Sequence, residues 1–155
     1  MNRIEINAKS FPNAEMHERI FTLLEKHYGI QMANIWKFGI STGLRLDDML
    51  AIKMESISGR KALITIHKAR TGKVLEIYLP PEAEEVINSI REAHPNSKYL
   101  FQSHRSRNVT NKEPRSVTRQ AVSLAFRGVG DILGMQLPPS MMRQIHIVRY
   151  INRLA

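Results

Sequence analysis

Apolar residues recur along this chain with two different periods. In NAEMHERIFTLLEKHYG they fall at Met16, Ile20, Leu23, Leu24 and Tyr28, a spacing that predicts a helix with one buried stripe. Asn13 stands where a cap is needed and Gly29 where the helix must close. QMANIWKFGIST is apolar on most sides, so a second, largely buried helix is expected, with Trp36 and Phe38 as packing residues. LDDMLAI reads as one or two further helical turns. The period then changes: KMESI, ALITIH and VLEIYL alternate or run apolar with β-branched residues, and Ser58-Gly59 and Thr71-Gly72 mark the turns between them. Three antiparallel strands are predicted, inserted between helices.

Pro80-Pro81 ends the sheet and opens a helix through EAEEVINSIREA, which His94-Pro95 stops. KYLF reads as a short buried piece and QSHRSRNVTNKEPR as a basic polar loop. Ser116 is the expected cap of a helix through VTRQAVSLAFRGVGDIL, ended by Gly134, and Pro138-Pro139 precede a last helix, SMMRQIHIVRYINRLA. No internal repeat and no long linker divides the sequence. The expected fold class is α+β: mostly helical, with one small three-stranded antiparallel sheet, in a single domain over residues 1–155.

Composition narrows the chemistry. The chain has 155 residues and no cysteine, which removes disulfides and thiolate metal sites. The histidines at 17, 27, 67, 94, 104 and 146 form no HxxxH or HxH pair, so no metal and no cofactor is expected. GxxxxGK[ST], GxGxxG and GxSxG are all absent, which leaves nucleotide cradles and the commonest serine hydrolases unsupported. MNRIEINAKSF lacks the apolar stretch of a signal peptide, and no apolar run approaches the ~20 residues of a membrane span, so a cytoplasmic protein is expected.

Charge is distributed unevenly. Residues 1–100 carry 14 Lys and Arg against 12 Asp and Glu, whereas residues 101–155 carry 9 against 2, with arginine outnumbering lysine eight to one. A one-sided, arginine-rich surface attracts polyanions, and the planar guanidinium suits phosphate. Double-stranded DNA is the expected partner, ahead of an anionic membrane.

Arg45 follows a Thr-Gly turn inside an apolar segment and is followed one turn later by Asp48. A cation at the edge of a core needs a carboxylate or an anionic ligand. After the predicted sheet, with its cation-rich turn KARTGK, a second arginine, Arg143, opens the last helix. Two fixed guanidiniums and a lysine-bearing turn around one point would hold a phosphodiester by its non-bridging oxygens.

These residues resemble the catalytic domain of the tyrosine recombinases, the phage-integrase family, from near Asn13 to the C-terminus. STGLRLDDMLAIKMESI resembles the family's first box, T-G-x-R-x-x-[E/D] followed by a hydrophobic segment. HKARTGKVLEIYL resembles its β-hairpin turn, K-T-G-K, and YLFQS its L-F-x-S segment. LPPSMMRQI falls where the family writes T-P-H-x-L-R-H-T. The resemblance implies that Arg45 and Arg143 clamp a scissile phosphate, that Asp48 buttresses Arg45, and that Lys68, Arg70 and Lys73 reach the DNA backbone from the hairpin tip. Arg105, Arg107, Lys112, Arg115 and Arg119 are the expected source of sequence-independent attraction, with Ser140, His146 and Arg149 as further candidate contacts on the last helix.

Departures from the family pattern shift the expectation away from catalysis. Arg70 stands where the family has its general-acid lysine, and arginine holds its proton too firmly for that role. Ser140 stands at the histidine position of the HxxR box. His146 and Arg149 form a second HxxR, but without the preceding proline and inside a helix. Tyr150 follows Arg143 too closely to be the family's nucleophile, while Tyr28, Tyr78 and Tyr99 read as core or edge residues. The expectation is a DNA-binding protein on a recombinase catalytic fold, with the clamp kept, the nucleophile segment and an N-terminal DNA-gripping domain missing, and itself or a full-length recombinase as a further partner. Two alternatives remain: a fragment of an active recombinase whose tyrosine lies beyond residue 155 or on another subunit, and a decayed or protein-interaction module.

Overall fold

The computed structural model describes residues 12–65, 73–104 and 113–154. The first helix, α1, runs Ala14–Tyr28, and the Asn13 side chain accepts a hydrogen bond from the Met16 N–H at 2.9 Å. Gly29, at φ 99°, ends α1 and begins α2, Ile30–Thr42. A side chain is unfavourable at that backbone angle, which is why the two helices turn on a glycine. The central helix is α2, which packs against α1 and against the later helices α4 (Pro81–Ala93) and α6 (Ser140–Leu154). Its Ala33, Ile35, Trp36, Phe38 and Ile40 are all buried, as its apolar circumference demands. Trp36 meets Phe126 edge-on at 5.8 Å, and Phe38 meets Phe101 at 5.4 Å.

Next come the short helix α3 (Leu46–Leu50) and the strands β1 (Ile57–Ser58), β2 (Lys61–Thr65) and β3 (Val74–Tyr78), paired antiparallel in the order β1-β2-β3. Ala62 and Ile64 face the core, while Lys61 and Leu63 share the outer face with their partners Tyr78 and Glu76. The three-stranded sheet among helices is the expected architecture. KMESI, however, contributes one strand residue, Ile57: Met54–Ser56 is a 3-10 turn. The reason lies far along the chain, where the Lys98 carbonyl takes the Met54 N–H at 2.9 Å and Lys53 bridges Tyr99.

After α4, Leu100 and Phe101 are buried in a turn between the bridging residues Tyr99 and Gln102, tied on one side to Ile52 and on the other to Val117. Helix α5 spans Arg119–Leu133, and its cap is Thr118, whose hydroxyl accepts from the Ala121 N–H at 3.1 Å. The expected cap, Ser116, instead donates its hydroxyl to the Leu50 carbonyl. Val117 gives its N–H to Phe101, so the backbone is still extended there and the helix begins later. Gly134 closes α5 in the left-handed region. Tyr28, expected on the buried stripe of α1, is 44% exposed, and Tyr78 lies on the edge strand β3.

Candidate phosphate-binding site

The site grows from the way α2 ends. Gly43 adopts a left-handed conformation, φ 71°, and returns its N–H to the Gly39 carbonyl at 2.9 Å. The Thr42 hydroxyl donates to the Phe38 carbonyl at 2.8 Å and accepts from the Leu44 N–H at 3.4 Å. This turn delivers Arg45 in extended backbone at the start of α3, exposed to solvent. Asp48 lies within α3, only 6% exposed, and borders a small cavity of about 380 Å³ with Lys53, Glu55, Ser56 and Tyr99.

A second element meets the same end of α2. Met142 and His146, one turn apart on α6, lie against Gly39, in the last turn of α2, and Gly43, the residue that closes it. A Cβ at Gly39 would collide with the Met142 side chain, and one at Gly43 would stand 2.7 Å from Cγ of His146 and nearer still to Cδ2. Two glycines therefore let α6 approach the α2 backbone directly. His146 fastens the seam, with Nδ1 at 3.2 Å from the Ile40 carbonyl oxygen. Arg143 is adjacent to Met142 in sequence and exposed. Both arginines thus spring from backbone next to this seam, Arg45 two residues beyond Gly43 and Arg143 one turn before His146.

The remaining candidates divide. Lys68 and Arg70 at the hairpin tip, and Arg105, Arg107 and Lys112 in the basic loop, lie outside the described residues. Lys73 is exposed next to β3, and Arg115 and Ser140 are exposed. Arg119 is not a bare surface cation: its Nη1 donates to both carboxylate oxygens of Asp47, at 2.9 and 3.1 Å. Arg149 is half-buried and lines a cleft of about 550 Å³ that His17, Trp36, Lys37 and Glu82 also line. Tyr150 is 58% exposed. Among the described residues no group of three or more His, Cys, Asp or Glu could hold a metal ion, and no helix is long and apolar enough to cross a membrane.

Sequence reasoning passed over three features. Asp47 was eclipsed by its neighbour Asp48, although it is the one that engages Arg119. His94 and His104 stack at 3.7 Å at the foot of the basic loop, and burial together with the His94 charge lowers the His104 pKa. The Gly39–Gly43 pair also went unread, although two glycines four residues apart at a helix end leave the backbone open to close approach.

Residues 12–154 match the profile described as the phage integrase family. The chain belongs to that family, the tyrosine recombinases. It is 27% identical over 113 residues to tyrosine recombinase XerA of Pyrococcus furiosus, an alignment that covers 72% of this chain and 38% of XerA. The chain therefore spans well under half of that relative's length. Its fold is that of the family's catalytic domain. The lambda integrase catalytic core superposes with a TM-score of 0.72 at 16% identity, over 94% of this chain and 85% of that one. The crystal structure of XerA recombinase gives 0.70 at 15% identity, over 94% and 52%. A lambda integrase tetramer bound to a Holliday junction gives 0.73 at 17% identity, over 94% and 42%.

Proposed function

We propose that this chain is a DNA-binding unit of the DNA recombination and integration machinery, gripping one backbone phosphate between Arg45 and Arg143 without cleaving the strand by itself. The observation that carries this reading is the glycine seam between α2 and α6, which roots both exposed arginines at neighbouring points. Asp48, buried one turn from Arg45, is suited to orient that guanidinium. Lys68, Arg70 and Lys73 then approach the backbone from the hairpin, while Arg105, Arg107, Lys112, Arg115 and Arg119 supply attraction without reading bases. Relatives of the same fold include a lambda integrase dimer described as bound to a COC′ core site and a Tn1549 transposon integrase described in complex with circular intermediate DNA, which supports duplex DNA as the ligand and further copies or a longer recombinase as partners. The cytoplasm is the proposed location.

The lack of cleavage rests on two positions within the chain. Serine at 140 cannot shuttle a proton as imidazole does, and Arg70 is a poor acid for a leaving 5′-oxygen. Duplex binding measured against salt tests the clamp. Arg45→Ala with Arg143→Ala should weaken binding and lower the log–log salt slope by about 0.9, the contribution of the one phosphate charge no longer neutralised. An unchanged slope would remove the clamp. Covalent trapping on a nicked suicide substrate tests the chemistry, and an adduct formed by this chain alone would overturn the inactive reading. The chain's 38% share of XerA favours a second reading, a catalytic core that works with a tyrosine from elsewhere in a longer protein or from another subunit. Trapping that succeeds only with the longer protein would select it.

A further inference from the structure

We infer that His146 is a positioning residue for the phosphate clamp, a buckle that sets the Arg45 turn against the helix bearing Arg143. The inference rests on the clamp reading above and gives His146 a positioning role in place of the DNA contact expected from the sequence. Three observations converge on the imidazole. Its Nδ1 lies 3.2 Å from the Ile40 carbonyl oxygen, in the last turn of α2. Its ring covers Gly43, leaving no room there for a side chain. It sits one turn after Arg143, and Gly43 sits two residues before Arg45. The ring therefore bridges the root of one arginine to the root of the other.

The hydrogen bond has a direction. A carbonyl oxygen can only accept, so Nδ1 must carry the proton, and Nε2 is then the acceptor of the neutral ring. The Ile40 carbonyl belongs to the final turn of α2, whose last carbonyls have no partner within the helix, so the imidazole satisfies a group that would otherwise look to solvent. Because Gly43 has a left-handed backbone and no side chain, the turn is held from within only by the Gly43 N–H on the Gly39 carbonyl and the long Leu44 N–H bond to the Thr42 hydroxyl. The imidazole packed on Gly43 adds resistance to rotation there. Without it, Arg45 would sample several orientations relative to Arg143, and a bidentate grip on one phosphate would be the first property to suffer.

His146→Leu keeps the bulk and removes the donor, whereas His146→Asn keeps an amide N–H at the place of Nδ1. Binding to a short fluorescent DNA duplex of arbitrary sequence should weaken about fivefold in the Leu variant, the effect of removing one hydrogen bond, and stay within about twofold of the parent in the Asn variant, which reproduces the donor. The coupling between Arg45→Ala and Arg143→Ala should shrink in the Leu background and persist in the Asn background, a pattern that general destabilisation does not produce. Equal binding by the Leu variant and the parent, where the double arginine variant does weaken binding, overturns the proposal. Two measurements need no DNA and separate failure of the buckle from failure of the clamp. Nitrogen NMR of the parent protein should show the proton of His146 on Nδ1, and an Nε2–H tautomer overturns the proposal even where no variant folds. The backbone amides of Gly43 and Arg45 should shift in the Leu variant and much less in the Asn variant; amides unmoved in both overturn it. If the amides respond but the double arginine variant binds DNA like the parent, the buckle stands and the clamp falls.

Discussion

Gly43→Ala tests the seam on which both arginines depend. Its cost has two parts that the molecule allows to be measured separately. Gly43 lies at φ 71°, Gly134 at φ 68° and Gly59 at φ 60°, so alanine at any of the three meets a similar left-handed penalty, roughly 1–2 kcal/mol. At Gly134 and Gly59 a new Cβ meets nothing within 4 Å, whereas at Gly43 it enters the His146 ring. Overpacking of that kind adds about 1–3 kcal/mol, which brings Gly43→Ala to about 2–5 kcal/mol while the two controls stay near the first part alone. Urea unfolding at matched m-values reads all three. Combining Gly43→Ala with His146→Ala should give less than the sum of the two, because the second change removes the object of the collision. If Gly43→Ala costs no more than Gly134→Ala, α6 does not sit on the end of α2 and the argument for the site fails with it.

Other consequences can be checked independently. Trp36 is 1% exposed and wedged on Phe126, with its indole N–H given to the His17 carbonyl at 3.1 Å, so Trp36→Ala should cost about 3–5 kcal/mol in the same unfolding assay. Asp47→Asn should change stability by less than about 1 kcal/mol, since its pair with Arg119 is exposed. It should also tighten DNA binding by freeing that arginine and removing a negative charge; weaker or equal binding in anisotropy would take Arg119 off the DNA surface. Burial holds the His17 pKa below its ordinary value of 6.5, helped by the charge of Arg149 and opposed by the Pro12 carbonyl and Glu18. The folded state therefore disfavours the imidazolium, so the stability linked to this ring is present above pH 6.5 and lost as pH falls through the lower folded value. His17→Gln should flatten the part of the stability–pH curve just below that point, and an unchanged curve would contradict the assignment.

What the sequence determined by itself was local. Asn13, Gly29, Pro80-Pro81 and Gly134 bound their helices because a cap, a left-handed exit or a missing N–H acts within a few residues of itself. The first box was legible for the same reason: Thr42, Gly43, Arg45 and Asp48 are near neighbours in the chain, so one turn arranges them. Tertiary structure decided whatever depended on a distant partner. KMESI bends into a 3-10 turn because Lys98 and Tyr99 take its hydrogen bonds, and α5 starts at Arg119 because Phe101 and Leu50 hold Val117 and Ser116 in an extended run. Arg119 pairs with Asp47, and His146 meets Gly43, only once the helices that carry them have packed. Such pairings follow from three-dimensional packing of long-range neighbours, for which hydrophobic periodicity carries no address.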